Sequence, residues 1–560
     1  MKRLLSLLLT LTMLLTLAAC GGDTAPSADQ IGSSDSPGLT EWDMHAHSVD
    51  LTDLYPDAVF VEISDAADTA GITVTNDIVY YEAGRDFTYG EGTAADEHTA
   101  EEAAAHTVVT ITEPGTYVLS GKLEAGQIAV DLGEDAEEDP DAVVTLVLNG
   151  VDITCTVAPA VIFYNVYECG STDSDSATYE VNTAAAGANV VIADGTVNNV
   201  RGSYVARIYK SVELSEDGTE VIDSKKLHKY DGAFYSKMSM NINGGTMGTG
   251  TLNIKAENEG LDTELHLTVN GGQINILSGN DGINTNEDGV SVTTINGGTL
   301  NIRCDGSTGE GDGIDSNGWL VINDGAVYAQ ACATSGDAGI DSDLGIYING
   351  GAVMASGNML DVIAGGNATY AVFEFAQPVE GGKSVDLTDA NGGLLMMYTA
   401  ENAYRYLIVS LNTMAAGDYT LWLDEVQMAH SGAMGGMGFG GRGGMGGERP
   451  EGLELPEDFD PSQMQIPDRG EMPENFDFSQ MRDEEIPEGF DPSQMDGLQR
   501  PEGMEGMIPP DGEMPQRFEN GMGFEGRGQG GISEGEQSAV FTIADGGNRF
   551  SGVSAYRTAE

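Results

Sequence analysis

The 560-residue chain carries 24 Lys and Arg against 90 Asp and Glu, a formal net charge of −66 at pH 7. Tracking phosphates needs a basic face, so this balance excludes nucleic acid as a partner and argues against an anionic membrane surface. Self-repulsion on this scale calls for bound cations, an extended shape or charge held apart in disordered segments. With 77 Gly, 7% aromatic and 40% hydrophobic residues, the chain can still build a core, and its length points to several domains or one long solenoid.

The N-terminus reads as an address. Lys2 and Arg3 precede an apolar run, Leu4 to Leu17, followed by Ala18-Ala19-Cys20-Gly21-Gly22. This is a secretory signal, too short for a membrane span. Leu17-Ala18-Ala19-Cys20 resembles a bacterial lipoprotein box, which implies that Cys20 receives lipid and becomes the mature N-terminus. The expected location is therefore outside the cell, membrane-anchored only through Cys20. Residues 21–58 follow as a flexible stalk. The pair His45 and His47 within it is too sparse to define a metal site.

The stretch 93–106 is acidic and Ala-rich, a loop or short surface helix. Val108–Ser120 reads as an entry hairpin or cap. Two repeat-like strand pairs follow, Val144–Val151 and Val190–Thr196, with the segments 165–189 and 201–235 expected to bulge out.

From residue 240 the chain repeats. Asn243-Gly244-Gly245, Asn270-Gly271-Gly272, Asn296-Gly297-Gly298, Asn323-Asp324-Gly325 and Asn349-Gly350-Gly351 recur every 26–27 residues. Alternating apolar residues flank each one, as in Leu267-Thr268-Val269 and Ile274-Asn275-Ile276. Period-2 alternation indicates strands and Asn-Gly-Gly indicates a turn. One such repeat cannot bury its own apolar face, but stacked repeats can, so a β-solenoid is expected. The recurrent Asn should then stack as an amide ladder, each side chain bonding the next.

A second motif shares the period. Glu259-Gly260-Leu261-Asp262-Thr263, Asp281-Gly282-Ile283-Asn284-Thr285, Asp312-Gly313-Ile314-Asp315-Ser316 and Ala338-Gly339-Ile340-Asp341-Ser342 align. Residues 240–345 hold 15 acids and only Lys255 and Arg303 as bases.

These Asn-Gly-Gly and Asp-Gly-Ile-Asp-Ser repeats, with Pro114-Gly115-Thr116-Tyr117-Val118-Leu119-Ser120-Gly121 and Val144–Val151, resemble a clostridial carbohydrate-binding β-helix family over roughly residues 105–430. The resemblance implies a right-handed parallel β-helix akin to pectate lyases, with bound calcium. It also implies a cell-surface protein that binds cellulose or pectin-type acidic polysaccharide.

Carboxylates stacked at the roughly 4.8 Å strand spacing repel by about 3.5 kcal/mol at an effective dielectric of about 20. Either they splay into water or a cation sits between them. Hard oxygen ligands suit calcium. The candidate ligands are Glu259, Asp262, Asp281, Asn284, Asp312, Asp315, Asp337 and Asp341. Each single Asp has the alternative role of bonding its own turn. For a neutral glucan, Trp319, Tyr328 and Tyr347 are the aromatic candidates, each with packing as its alternative. A lyase on the same fold would need a base, for which only Lys255 and Arg303 are at hand in this block. Cys155, Cys169, Cys304 and Cys332 are compatible with free thiols or disulfides.

Beyond Ala371 the period is lost and antiparallel strands are expected to close the solenoid. Residues 431–537 are low-complexity, with Pro456–Met464, Pro473–Met481 and Pro487–Met495 repeating one another, and are expected to be disordered. The strand-like Ala539–Ile543 is expected to pair with Trp422–Gln427 across this insertion.

The expected organisation is all-β: a right-handed parallel β-helix with a small C-terminal antiparallel module and a long disordered insertion. Its parts are a signal peptide (1–20), stalk (21–58), capped β-helix (59–368), β-module (369–430), insertion (431–537) and final strand with tail (538–560). The expected function is binding of plant-type polysaccharide by a monomer without cleavage. A calcium-dependent lyase and a structural adhesin without a glycan ligand are the alternatives.

Overall fold

The computed structural model describes residues 42, 44–82, 96–214, 221–435 and 537–556. The signal peptide, Cys20 and nearly all of the insertion lie outside the described residues. The regular elements are nearly all strands, in keeping with the all-β expectation.

Most strands fall into three parallel stacks. The first runs Val59–Glu62, Gly115–Leu123, Val144–Thr154, Ala188–Ile192, Met240–Gly244, His266–Val269, Val292–Ile295, Trp319–Ile322, Gly345–Ile348 and Ile363–Gly365. The second takes the end of Val144–Thr154, then Val197–Gly202, Thr251–Ala256, Gln273–Ser278, Thr299–Cys304, Ala326–Gln330 and Ala352–Gly357. The third holds Thr107–Ile111, Gly126–Asp131, Val161–Asn165, Gly232–Ser236, Glu259–Thr263 and Ile283–Thr285. It continues through the bridge Ile283↔Ile314 and the bond from Ile314 N to Gly339 O at 3.2 Å.

The alternation decides what each strand buries. Leu252, Ile254, Ile274, Ile276, Leu300 and Ile302 from the second stack are fully buried. So are Ile242, Val269, Ile295, Ile322 and Ile348 from the first, and Leu261, Ile283, Ile314 and Ile340 from the third. All of them belong to one hydrophobic core. The motif glycine is needed for close approach. A Cβ on Gly282 would stand 2.1 Å from Ile302 Cγ2 and 2.6 Å from Gly313 O. The motif hydroxyl ties the turn that follows: Ser316 Oγ donates to Trp319 O at 2.9 Å, and Gly345 N donates to Ser342 Oγ at 3.1 Å.

The expected amide ladder is present. Nδ2 of Asn270, Asn296, Asn323 and Asn349 each donates to Oδ1 of the preceding member, at 3.0, 2.9, 2.9 and 2.8 Å. A second ladder runs along the second stack, from Asn301 to Asn275 to Asn253 to Asn199, at 2.8, 2.8 and 2.9 Å.

Several expectations are corrected. Thr107–Ile111 and Gly115–Leu123 do not form a hairpin; they lie in different stacks, so the segment between them turns a corner rather than reversing. Residues 44–58 are not stalk. Met44 O accepts from Asn199 Nδ2 at 2.8 Å, Val49 bonds Asn149 through both backbone groups, and Leu51 is buried against Val118, Val147 and Ala193. The segment 166–187 folds back over the first stack instead of bulging out. Thr183 Oγ1 lies 2.7 Å from both Asn241 Oδ1 and Thr268 Oγ1. The segment after Arg201 does leave the stacks, as the antiparallel pair Val205–Leu214 and Val221–Tyr230. A short helix, Ala100–Ala104, follows the N-cap Thr99.

The C-terminal strands have their own core around Phe373, Phe375, Leu387, Met396, Leu407, Leu421, Phe541 and Phe550. Ala352–Gly357, the last strand of the second stack, pairs antiparallel with Tyr404–Ser410 of this module, which covers that open edge. Strand Phe541–Ile543 pairs with Gly417–Tyr419, not with Trp422–Gln427. The latter segment is itself a tight hairpin, Trp422 pairing with Gln427 around Asp424 at φ 52°. The four described cysteines are free.

Candidate functional site

The acidic motif of the third stack forms two columns. Leu261↔Ile283 and Ile283↔Ile314 align Asp262, Asn284 and Asp315, and the bond from Asp341 N to Ile314 O at 2.7 Å extends this column to Asp341. Three residues earlier in each repeat, Glu259, Asp281 and Asp312 make the second column, with Asp337 beside its end. All eight residues proposed from the sequence thus lie on this one stack.

The columns are tied together by hydrogen bonds. Asp312 N donates to Asp281 Oδ1 at 2.7 Å, Ala338 N to Asp312 Oδ1 at 2.5 Å, and Gly311 N to Asp337 Oδ2 at 2.6 Å. Each of these carboxylates therefore accepts from the main chain of a neighbouring repeat, not merely from its own turn. Asn284 Nδ2 crosses between columns to Glu259 Oε1 at 3.0 Å. Asn286 Nδ2 reaches Asp262 Oδ1 at 2.5 Å.

The carboxyls are deeply placed: Glu259 is 4% exposed, Asp262 0% and Asp281 9%. Burial, then the neighbouring Glu259 and Asp312, push the Asp281 carboxyl well above its ordinary range. Burial, with Asp341 next, raises Asp312 to about 9. Burial, with Asp343 next, raises Asp315 to about 6; burial, with Asp361 next, raises Asp341 to about 8. So many buried acids in mutual repulsion favour either retained protons or a cation.

Among the described residues, no three His, Cys, Asp or Glu side chains converge on one point as a ready-made metal cluster. The carboxylates are instead strung out along the stack and need amide oxygens to complete a shell. Asn284 supplies one: it is 6% exposed, and its Oδ1 has no hydrogen-bond donor. Buried carboxylates plus an unsatisfied amide oxygen form an all-oxygen donor set, the chemistry calcium selects.

Sequence reasoning missed part of this face. Asp343 and Asp361 belong to it, each raising a neighbour. Asp361 is the last turn of the motif, Leu360-Asp361 standing where Ile340-Asp341 stood, with Ser342 N donating to Asp361 Oδ2 at 3.1 Å. Loss of the motif glycine hid it. Asn286, Asn317 and Asp343 form a parallel row two residues on, visible only once strand pairing is known.

The three aromatic candidates separate. Tyr328 packs against the C-terminal module, and burial raises its hydroxyl to about 12, so it is a packing residue. Tyr347 is stacked by Tyr179 of the folded-back segment, with centroids 4.2 Å apart and planes 18° apart. That leaves the half-exposed Trp319 and the outer face of Tyr179, which is 37% exposed. Lys255 and Arg303 stand on the second stack rather than among the acids, and Arg303 Nη1 pairs with Glu401 Oε2 at 2.9 Å.

A family model described as carbohydrate-binding domain-containing protein matches residues 105–407, more than half of the chain. The chain belongs to this family of carbohydrate-binding domain-containing proteins. A solved structure described as a polysaccharide lyase-like protein from C. thermocellum, in a gadolinium derivative, is 23% identical. That likeness covers 46% of this chain and 84% of the other, with a TM-score of 0.28. No curated protein matches the chain.

Proposed function

We propose that this protein is a calcium-stabilised, right-handed parallel β-helix that binds plant-type polysaccharide, pectin-like or cellulosic, outside the cell without cleaving it. Family membership over residues 105–407 is the observation that carries the reading. The three parallel stacks, the third continued beyond Thr285 by backbone bonds rather than strands, support the β-helix. The lipoprotein-like Leu17–Cys20 supports anchoring through Cys20. Among the described residues no helix is long and apolar enough to cross a membrane.

Glu259, Asp262, Asp281, Asn284, Asp312, Asp315, Asp337 and Asp341 would hold calcium, which supplies the positive charge that lets stacked carboxylates ionise without repelling. The chain's own contribution is the fixed spacing of those oxygens and the backbone N–H groups that orient them. The non-cleaving reading draws on the placement of Lys255 and Arg303 away from the acidic columns, with Arg303 engaged by Glu401. Incubation of the protein with polygalacturonate and calcium tests it. Retention on the polymer with no unsaturated product is expected; accumulation of unsaturated ends would replace the binding protein with a lyase.

A further inference from the structure

The outward face of the first stack is occupied by the chain itself. Leu267, Ile295, Ile322 and Ile348 turn into the core. Strand alternation and register therefore turn Thr268, Thr294, Val321 and Tyr347 outward, one above another. Yet Thr268, Thr294 and Val321 are buried. The folded-back segment 166–187 is what covers this row.

This strap is tied down at its two ends. The Glu168 carboxylate accepts from Ser239 N at 2.6 Å and from Ser239 Oγ at 2.7 Å. Asn241 Nδ2 donates to Thr183 O at 2.7 Å. Between these ties the hold is slight. Among the described residues, the hydrogen bonds made by residues 171–181 stay within the strap. All of these residues except Ala177 and Val181 are exposed. The ring contact that reaches the stack from this stretch is Tyr179 on Tyr347, centroids 4.2 Å apart and planes 18° apart.

The course of the strap follows from these contacts. Thr183 sits at Thr268, and Tyr347 lies three strands further on. That is about 14 Å at about 4.8 Å per strand, close to the full reach of the four residues from Thr183 back to Tyr179. The strap thus runs lengthwise over Thr294 and Val321, as an extended polymer would, and lays a flat ring on Tyr347. Trp319 stands diagonally beside that ring. It pairs with Gly345, two residues before Tyr347, and Gly345 places no side chain next to the indole. Two neighbouring aromatic faces suit the apolar face of a sugar ring.

We propose that the strap is a displaceable cover over a glycan seat: a polysaccharide chain lying along the first stack stacks on Tyr347 and Trp319 and takes the place of Tyr179. The ties at Glu168 and Thr183 stay closed, so the strap vacates the row from Thr294 to Tyr347. The inference rests on the polysaccharide-binding reading and adds the seat and its regulation. Because the open form must be populated before the glycan enters, the closed strap lowers the apparent affinity.

The test measures binding of cellohexaose and of hexagalacturonate, in calcium, to the whole protein as wild type, Tyr179→Ala, Tyr347→Ala and the double variant. Thermal midpoints show that each is folded. Loss of one stacked ring pair sets the scale, so Tyr179→Ala is expected to bind one of the two oligosaccharides about two- to tenfold more tightly than the wild type. Tyr347→Ala and the double variant are expected to bind it several-fold more weakly. Weaker binding by Tyr179→Ala overturns the cover and makes Tyr179 part of the platform. Unchanged binding by Tyr179→Ala overturns the cover as well. Unchanged binding by Tyr347→Ala places the glycan elsewhere and leaves the polysaccharide reading intact. Binding of neither oligosaccharide by any of the four proteins overturns both.

Discussion

Asp312 donates its backbone N–H to the Asp281 carboxylate at 2.7 Å, while burial and the repulsion of neighbouring carboxylates raise both carboxyls. The main chain thus fixes the acids of successive repeats one above another, and the charge must be answered by something else. This relationship has a measurable pH signature. Raised carboxyl pKa values stabilise the fold below the unfolded value and lose that contribution as pH rises through the folded value. For Asp315, Asp341 and Asp312 the loss runs from about pH 4 up to about 6, 8 and 9 respectively. His266 acts oppositely: burial lowers it to about 4, so its contribution is lost as pH falls from about 6.5 to 4. In chelator, the thermal midpoint is therefore expected to fall between pH 6.5 and 9, above the His266 window. Calcium should flatten that slope; an equal slope with calcium present would count against cation binding at this face.

Replacing Asp312 with Asn keeps an oxygen for Ala338 N and removes a charge site. Without divalent cations, Asp312→Asn is expected to be more stable than the wild type at pH 7, by up to a few kcal/mol. Its gain on adding calcium should shrink. Denaturant midpoints in chelator and in calcium measure both effects. A variant less stable than the wild type in chelator, with a full calcium response, would argue that Asp312 acts only as a turn residue.

The third-stack core is set by single inward residues. Ile283 is fully buried between Leu261 and Ile314. Ile283→Ala is expected to cost about 2–5 kcal/mol, whereas Ile283→Val should cost about 0.5–1.5 kcal/mol. Equal, small losses would mean that the repeats are not packed as described.

The exposed amide ladder should contribute less. Asn296 both donates to Asn270 and accepts from Asn323. Asn296→Ala removes two hydrogen bonds near water and is expected to cost about 1–2 kcal/mol, read from urea unfolding. A neutral outcome would reduce this Asn to a turn former.

How much of this was legible in the sequence depended on periodicity. Asn243 to Asn349 recur every 26–27 residues at one turn, so their ladder could be anticipated from spacing. The second ladder could not. Asn253, Asn275 and Asn301 sit inside strands, where a polar residue at an outward position looks like ordinary alternation until the register is known. The motif acids were found because Gly-(Leu/Ile)-(Asp/Asn) repeats, and Asp361 escaped because its glycine is gone. Tyr179 carries no periodic signal at all; only folding back of the 166–187 segment brings it onto Tyr347. Pro114-Gly115 marks a change of direction without giving its angle, so in the sequence a corner after Ile111 looks the same as the turn of a hairpin or cap.

Polysaccharide binding is the claim on which the rest depends. A panel of immobilised plant polysaccharides, including pectic and cellulosic polymers, challenged with the whole protein in calcium tests it most directly. Retention on at least one polymer, with no release of unsaturated or reducing ends, is the predicted result. Absence of retention on every polymer, by a protein shown to be folded, would contradict it.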